Sequence, residues 1–90
     1  MKLILYATLR EIAGTSELTF SMGEPRSLLG FLDELAMKFG DEWKTTIFHD
    51  RGGFSQYVRV YLNGEEVDKA GDALVTDRDE VEILVPMAGG

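Results

Sequence analysis

Ninety residues make one small domain, because chains divide into separate cores only at greater length. The absence of cysteine excludes a disulfide framework, a thiolate nucleophile and a Cys-ligated zinc or iron–sulfur centre. The single histidine, His49, excludes His-rich metal sites. A net charge of −7 argues against nucleic acid or an anionic membrane as partner and favours proteins with basic surfaces. No apolar run is long enough to span a bilayer and Met1–Arg10 lacks a signal-peptide pattern, so the expected compartment is the cytosol.

In chain order, Met1–Thr8 reads as a first strand, with Leu3, Leu5 and Ala7 on one face and Ile4 and Tyr6 on the other. Both faces are mostly apolar, as in a central strand. Gly14 and Thr15 then form a short loop of a hairpin whose second strand is Glu17–Ser21, with Leu18 and Phe20 alternating. Leu28, Phe31, Leu32, Leu35, Ala36 and Phe39 form one stripe at helical period. Ser27 is placed to cap this helix and Gly40 to close it. Gly30 interrupts the helix with no local compensation evident in the sequence. Asp41–Phe48 is a shorter second helix with Trp43, Ile47 and Phe48 turned inward, followed by a loop through Asp50–Ser55. Tyr57–Leu62 alternates as a strand, Asn63-Gly64 is a tight hairpin turn, and Glu65–Asp68 is a short return strand. After a loop through Gly71 and a turn at Asp77-Arg78-Asp79-Glu80, Val81–Val85 is the last strand, ended by Pro86. The expected architecture is α+β, a mixed sheet in the order β-β-α-β-β-β with one main helix on one face.

Known phosphate-loop, dinucleotide, zinc-protease and EF-hand motifs are missing from this chain. His49 beside Asp50 reads as a surface loop histidine, since no nucleophile accompanies it. Asp77, Asp79 and Glu80 have no cation-loop spacing and read as a solvated turn. What stands out is the end, Met87-Ala88-Gly89-Gly90. At the average glycine frequency of about 7%, two glycines close a chain by chance on the order of 0.5% of the time; a frayed end or a cloning scar is the plain alternative. Glycine lacks a Cβ, so such an end threads a channel too narrow for other residues. Four extended residues reach roughly 13–14 Å, which divides the chain into a domain over 1–86 and a flexible tail over 87–90. A carboxylate becomes a good electrophile once it is an acyl-adenylate, and sulfur attack on that adenylate yields a thiocarboxylate. With no catalytic apparatus of its own in view, this chain is expected to be the thing acted upon rather than an enzyme.

The element order with a terminal Gly-Gly resembles ubiquitin-like β-grasp proteins. Tyr6-Ala-Thr-Leu-Arg-Glu-Ile-Ala-Gly14, Val75-Thr-Asp-Arg-Asp-Glu-Val81 and Val85-Pro-Met-Ala-Gly-Gly90 more closely resemble the small subunit of molybdopterin synthase. That resemblance implies a sulfur carrier. A ubiquitin-activating-like adenylating enzyme, using ATP and magnesium, activates Gly90, with Gly89 as its unhindered neighbour. A sulfurtransferase supplies sulfur, and the thiocarboxylate enters the large synthase subunit to build the dithiolene that holds molybdenum or tungsten. No cofactor is implied on this chain itself. Arg78 stands where the family often has a glycine, implying mild strain if that position needs positive φ, and Val85 stands where it often has a first proline. Sister Gly-Gly proteins serve cysteine synthesis, tRNA thiolation or lysine conjugation, and a plain interaction module with an idle tail is the remaining alternative.

A partner surface is also expected. If Val81, Ile83 and Val85 face the helix, Leu84 and Glu82 face away. With the last strand between the first and third, Leu84 neighbours either Tyr6 or Ile4, together with Tyr61 and Arg59. That cluster beside the tail residues Pro86, Met87 and Ala88 is the expected docking region; cross-strand pairing within the sheet is the alternative.

Overall fold

The computed structural model describes residues 1–68 and 72–85. The expected loop at Gly71 and the expected tail contacts of Pro86, Met87, Ala88, Gly89 and Gly90 lie outside the described residues. Lys2–Leu5 forms β1, and the chain leaves the extended state sooner than the strand expected over 1–8. Ala7–Ala13 is instead a short helix, α1. Leu9, Ile12 and Ala13 stand at helical spacing, with Leu9 fully buried. Gly14 closes the helix by donating its N–H to the Arg10 carbonyl at 2.9 Å. The alternation running through Tyr6 and Ala7 conceals this helical register. Glu17–Thr19 is β2, antiparallel to β1 with Leu3 opposite Leu18. The expected pairing therefore holds, but a helix rather than a tight loop connects the two strands.

Arg26–Ser27 is a two-residue strand, β3, leading directly into α2 (Leu28–Phe39). The first amides of α2 are satisfied from three sources. Leu28 N–H donates to the Ala73 carbonyl at 2.8 Å, Leu29 N–H to Asp72 Oδ1 at 3.1 Å, and Gly30 N–H to Ser27 Oγ at 3.0 Å. Ser27 is thus the predicted cap, while Asp72 is a second cap delivered from a distant loop. Burial pushes the Asp72 carboxyl up, but the Ser27 hydroxyl and the Leu29 and Ala73 amides outweigh it and hold the group below the usual carboxylate range. A Cβ built on Gly30 meets Ser27 Oγ at 3.4 Å, an ordinary contact, so the space accepts alanine. Gly30→Ala is expected to stabilise the fold by about 0.5–1 kcal/mol, read as a higher urea midpoint with unchanged slope.

Leu28, Phe31, Leu32 and Leu35 are the buried stripe of α2. Gly40 then adopts φ 91°, letting the chain close α2 through an N–H bond to the Ala36 carbonyl at 2.7 Å and start α3 (Asp41–Ile47) at once. Trp43 and Ile47 are buried as expected, whereas Phe48 is half-buried and stacks on Phe54 with ring centroids 6.2 Å apart.

Arg59–Leu62 is β4 and Glu65–Glu66 is β5. The turn between them has φ 52° at Asn63 and 86° at Gly64, the geometry expected of an Asn-Gly hairpin. Leu74–Val75 is β6, which pairs with β3 in a separate two-stranded ribbon absent from the sequence reading. Glu80–Leu84 is β7. The main sheet runs β2-β1-β7-β4-β5, with β7 parallel to β1 and antiparallel to β4. Leu3, Leu5, Val60, Val81 and Ile83 point to one face and are at most 1% exposed, which places the helices over that face. The α+β β-grasp architecture is therefore present, the short second helix is found as α3, and α1 and the small ribbon are added to what was expected.

The turn before β7 does more than the solvated turn expected of it. Asp79 Oδ2 accepts from Thr76 N–H at 2.7 Å, and Asp79 Oδ1 accepts from Asn63 Nδ2 at 2.9 Å. Asn63 Oδ1 in turn accepts from Glu80 N–H at 2.9 Å, and Asp77 accepts from Met22 N–H. The hairpin, the chain before α2 and the start of β7 are tied together here. Arg78 has no positive φ, so the strain expected of it is not found. The Asn63 side chain and Thr76 amide hold the Asp79 carboxyl below the usual range. Because its folded value is depressed, its stabilising contribution is full above the ordinary Asp value near 4 and is lost as pH falls through the depressed value. Asp79→Asn is therefore expected to be less stable than wild type from pH 5 to 7, with the gap narrowing below about pH 4 in urea titrations.

Candidate functional site on the open sheet face

Strand alternation sends Lys2 and Ile4 of β1, Arg59 and Tyr61 of β4, and Glu80, Glu82 and Leu84 of β7 to the face opposite the core. None of these side chains is buried. Glu82 lies level with Ile4 on one side and Tyr61 on the other, and Leu84 lies opposite Arg59. Ile4 is therefore level with Glu82 and not with Leu84; the parallel register ends with Leu5 opposite Ile83, and Tyr6 follows Leu5 in extended backbone as the residue before α1. Tyr6 is 39% exposed, and its hydroxyl donates to Glu82 Oε2 at 2.7 Å. That bond, with burial and the Glu82 charge adding to it, raises the Tyr6 hydroxyl pKa.

The four docking residues expected within the described chain, Tyr6, Arg59, Tyr61 and Leu84, thus share one face around β7, the strand that leads into residues 86–90. Alternation along β4 and β7 already places Arg59 and Glu82 on that face; Lys2 and Glu80 join them only once β1 and β7 are paired. Lys2 Nζ lies 3.2 Å from Glu17 and 3.9 Å from Glu80, and an Arg59 guanidinium nitrogen lies 4.0 Å from Glu66. The signal was available: Lys2-Ile4-Tyr6 and Glu80-Glu82-Leu84 are each period-two sets once the strands are fixed. These exposed pairs add little stability. Their consequence is that Lys2 and Arg59, the cations of this face among the described residues, already have carboxylates beside them.

His49 is exposed and its Nδ1 accepts from Arg51 N–H at 3.0 Å, a local loop contact. Among the described residues no group of three or more His, Asp or Glu side chains is arranged to hold a metal ion. No helix among them is long and apolar enough to cross a membrane.

A five-stranded mixed sheet folded around one main helix, with a parallel central pair and an open far face, is the ubiquitin-like β-grasp of small sulfur carriers. The ThiS family model matches residues 3–90, and the chain belongs to that family. It is 31% identical over 90 residues to the molybdopterin synthase sulfur carrier subunit of Arabidopsis thaliana, covering all of this chain and 82% of that protein. Among solved structures it is similar to small archaeal modifier protein 1 from Methanosarcina acetivorans, with 31% identity, a TM-score of 0.75, and coverage of 99% of this chain and 94% of that one. It is also similar to the HVO 2177 protein of Haloferax volcanii, with 26% identity, a TM-score of 0.79, and coverage of 99% and 84%.

Proposed function

We propose that this chain carries sulfur on its C-terminal glycine for molybdopterin synthesis. The carrying observation is its end-to-end match to a molybdopterin synthase sulfur carrier subunit at 31% identity. In this reading a Gly90 carboxylate oxygen attacks the α-phosphate of ATP on an adenylating enzyme, which holds the magnesium, and pyrophosphate leaves. A persulfide supplied by a sulfurtransferase then attacks the acyl carbon and AMP leaves. A thiol cleaves the resulting acyl disulfide, releasing the thiocarboxylate and leaving its own sulfur in a disulfide. Gly89 keeps the approach to that carbon clear, and Pro86, Met87 and Ala88 carry it into the large synthase subunit. The Tyr6, Arg59, Tyr61 and Leu84 face is the docking surface. The acidic surplus of the chain speeds encounter with a basic partner more than it tightens the complex.

A second reading is a protein modifier joined to lysine through the same adenylate, and the equal identity to small archaeal modifier protein 1 supports it. Intact mass after incubation with the adenylating enzyme of the same genome, ATP, magnesium and a persulfide donor separates the two. Replacement of one oxygen by sulfur is the carrier result. A larger protein adduct that survives reduction is the modifier result, and an unchanged mass rejects both.

A further inference from the structure

Glu82 occupies the middle of the open face, on the central strand β7, between Ile4 and Tyr61. Its carboxylate accepts a hydrogen bond from the Tyr6 hydroxyl. The nearby cations are engaged elsewhere, Lys2 with Glu17 and Glu80 and Arg59 with Glu66. A neutral hydroxyl on one oxygen orients the carboxylate without neutralising it. Water solvates the remaining charge in the free protein. A partner that covers Ile4, Tyr61 and Leu84 strips that water, and an uncompensated carboxylate in such a contact opposes association strongly.

We infer that Glu82, held by Tyr6, is the residue by which this chain selects its adenylating enzyme, and that this enzyme presents an arginine or lysine to Glu82 where it covers Ile4, Tyr61 and Leu84. The inference rests on the proposed function, from which it takes the adenylating enzyme as the partner that carrier and modifier readings have in common. A surface of the same shape without that cation is rejected, because the charge then stays buried and unpaired. Glu80 differs in kind. It lies on the same strand but already faces Lys2, nearer the rim, and rim charges act on association rate and salt dependence rather than on dissociation.

The test uses the full chain and the adenylating enzyme of the same genome, with binding kinetics measured alongside ATP-dependent formation of the adenylate. Glu82→Gln keeps the size and the ability to accept from Tyr6 but removes the charge. It is expected to bind at least about 30-fold more weakly, mainly through faster dissociation. Glu82→Lys is expected to abolish detectable binding, and Glu80→Gln to remain within about 3-fold. An unchanged melting temperature of Glu82→Gln assigns its loss to recognition rather than folding. Glu82→Gln binding within about 3-fold of wild type, or more tightly, overturns the inference, since Glu82 is then a tolerated or unfavourable charge. Failure of the wild-type chain to form any adenylate overturns the functional reading itself, an outcome separate from wild-type activation that ignores Glu82.

Discussion

Deletion of Gly90 is expected to abolish adenylate and thiocarboxylate formation while leaving the urea unfolding midpoint unchanged. The fold side of this expectation follows from where the core ends. Among the described residues Ile83 is the last fully buried side chain, and β7 stops at Leu84. Residues at a chain end beyond the last packed strand contribute little to stability. On the chemical side, deletion moves the reacting carboxylate back by one residue, about 3.5 Å. A misplacement of about 1 Å at a reacting centre already costs on the order of 100-fold, so a shift of a whole residue removes measurable turnover. Gly90→Ala separates reach from width, because it keeps the carboxylate in register but adds a Cβ. It is expected to be loaded slowly rather than not at all. Loading of the Gly90 deletion at the wild-type rate, followed by intact mass, would place the reacting group elsewhere and remove the basis of the proposed function.

The elements that were readable in advance are those whose signal is local. The α2 stripe, the Ser27 cap, and the Asn63-Gly64 turn each depend on residues within a few positions of one another, and each is found. The features that escaped are made by distant partners or by competing periodicities. Helix α1 was hidden because Leu3, Leu5 and Ala7 continue an alternating pattern into a segment that then turns helical. The β3–β6 ribbon joins Arg26–Ser27 to Leu74–Val75, two-residue strands too short to show a period. Asp72 as a second cap and Asp79 as a clasp follow from the same cause, since a carboxylate's partner cannot be read from its neighbours. For the candidate site, alternation placed Arg59, Tyr61 and Leu84 on one face without coordinates. The pairing of Tyr6 with Glu82 needed the β1–β7 register, which no single segment encodes.

The second large effect belongs to the side of the molecule away from that face. Trp43 is fully buried, its ring lies 4.9 Å from that of Phe39, and its indole N–H donates to the Leu32 carbonyl at 2.9 Å. The hydrogen bond ties α3 to the middle of α2, where Leu32 itself is fully buried. Trp43→Ala is expected to cost about 3–5 kcal/mol, from lost burial and the cavity left behind. A 90-residue domain has on the order of 5–13 kcal/mol in total, so the variant loses between about a quarter and all of its stability. Trp43→Phe keeps most of the ring volume and loses the hydrogen bond, with an expected cost of about 1–2 kcal/mol. Since this is the only tryptophan, the comparison is made by circular dichroism in urea rather than by fluorescence. Trp43 lies on the core side and β7's open side chains point the other way, so Trp43→Phe is expected to be adenylated at the wild-type rate well below its melting temperature. A Trp43→Phe protein that is stable but activated slowly would mean that the helical layer also takes part in partner recognition.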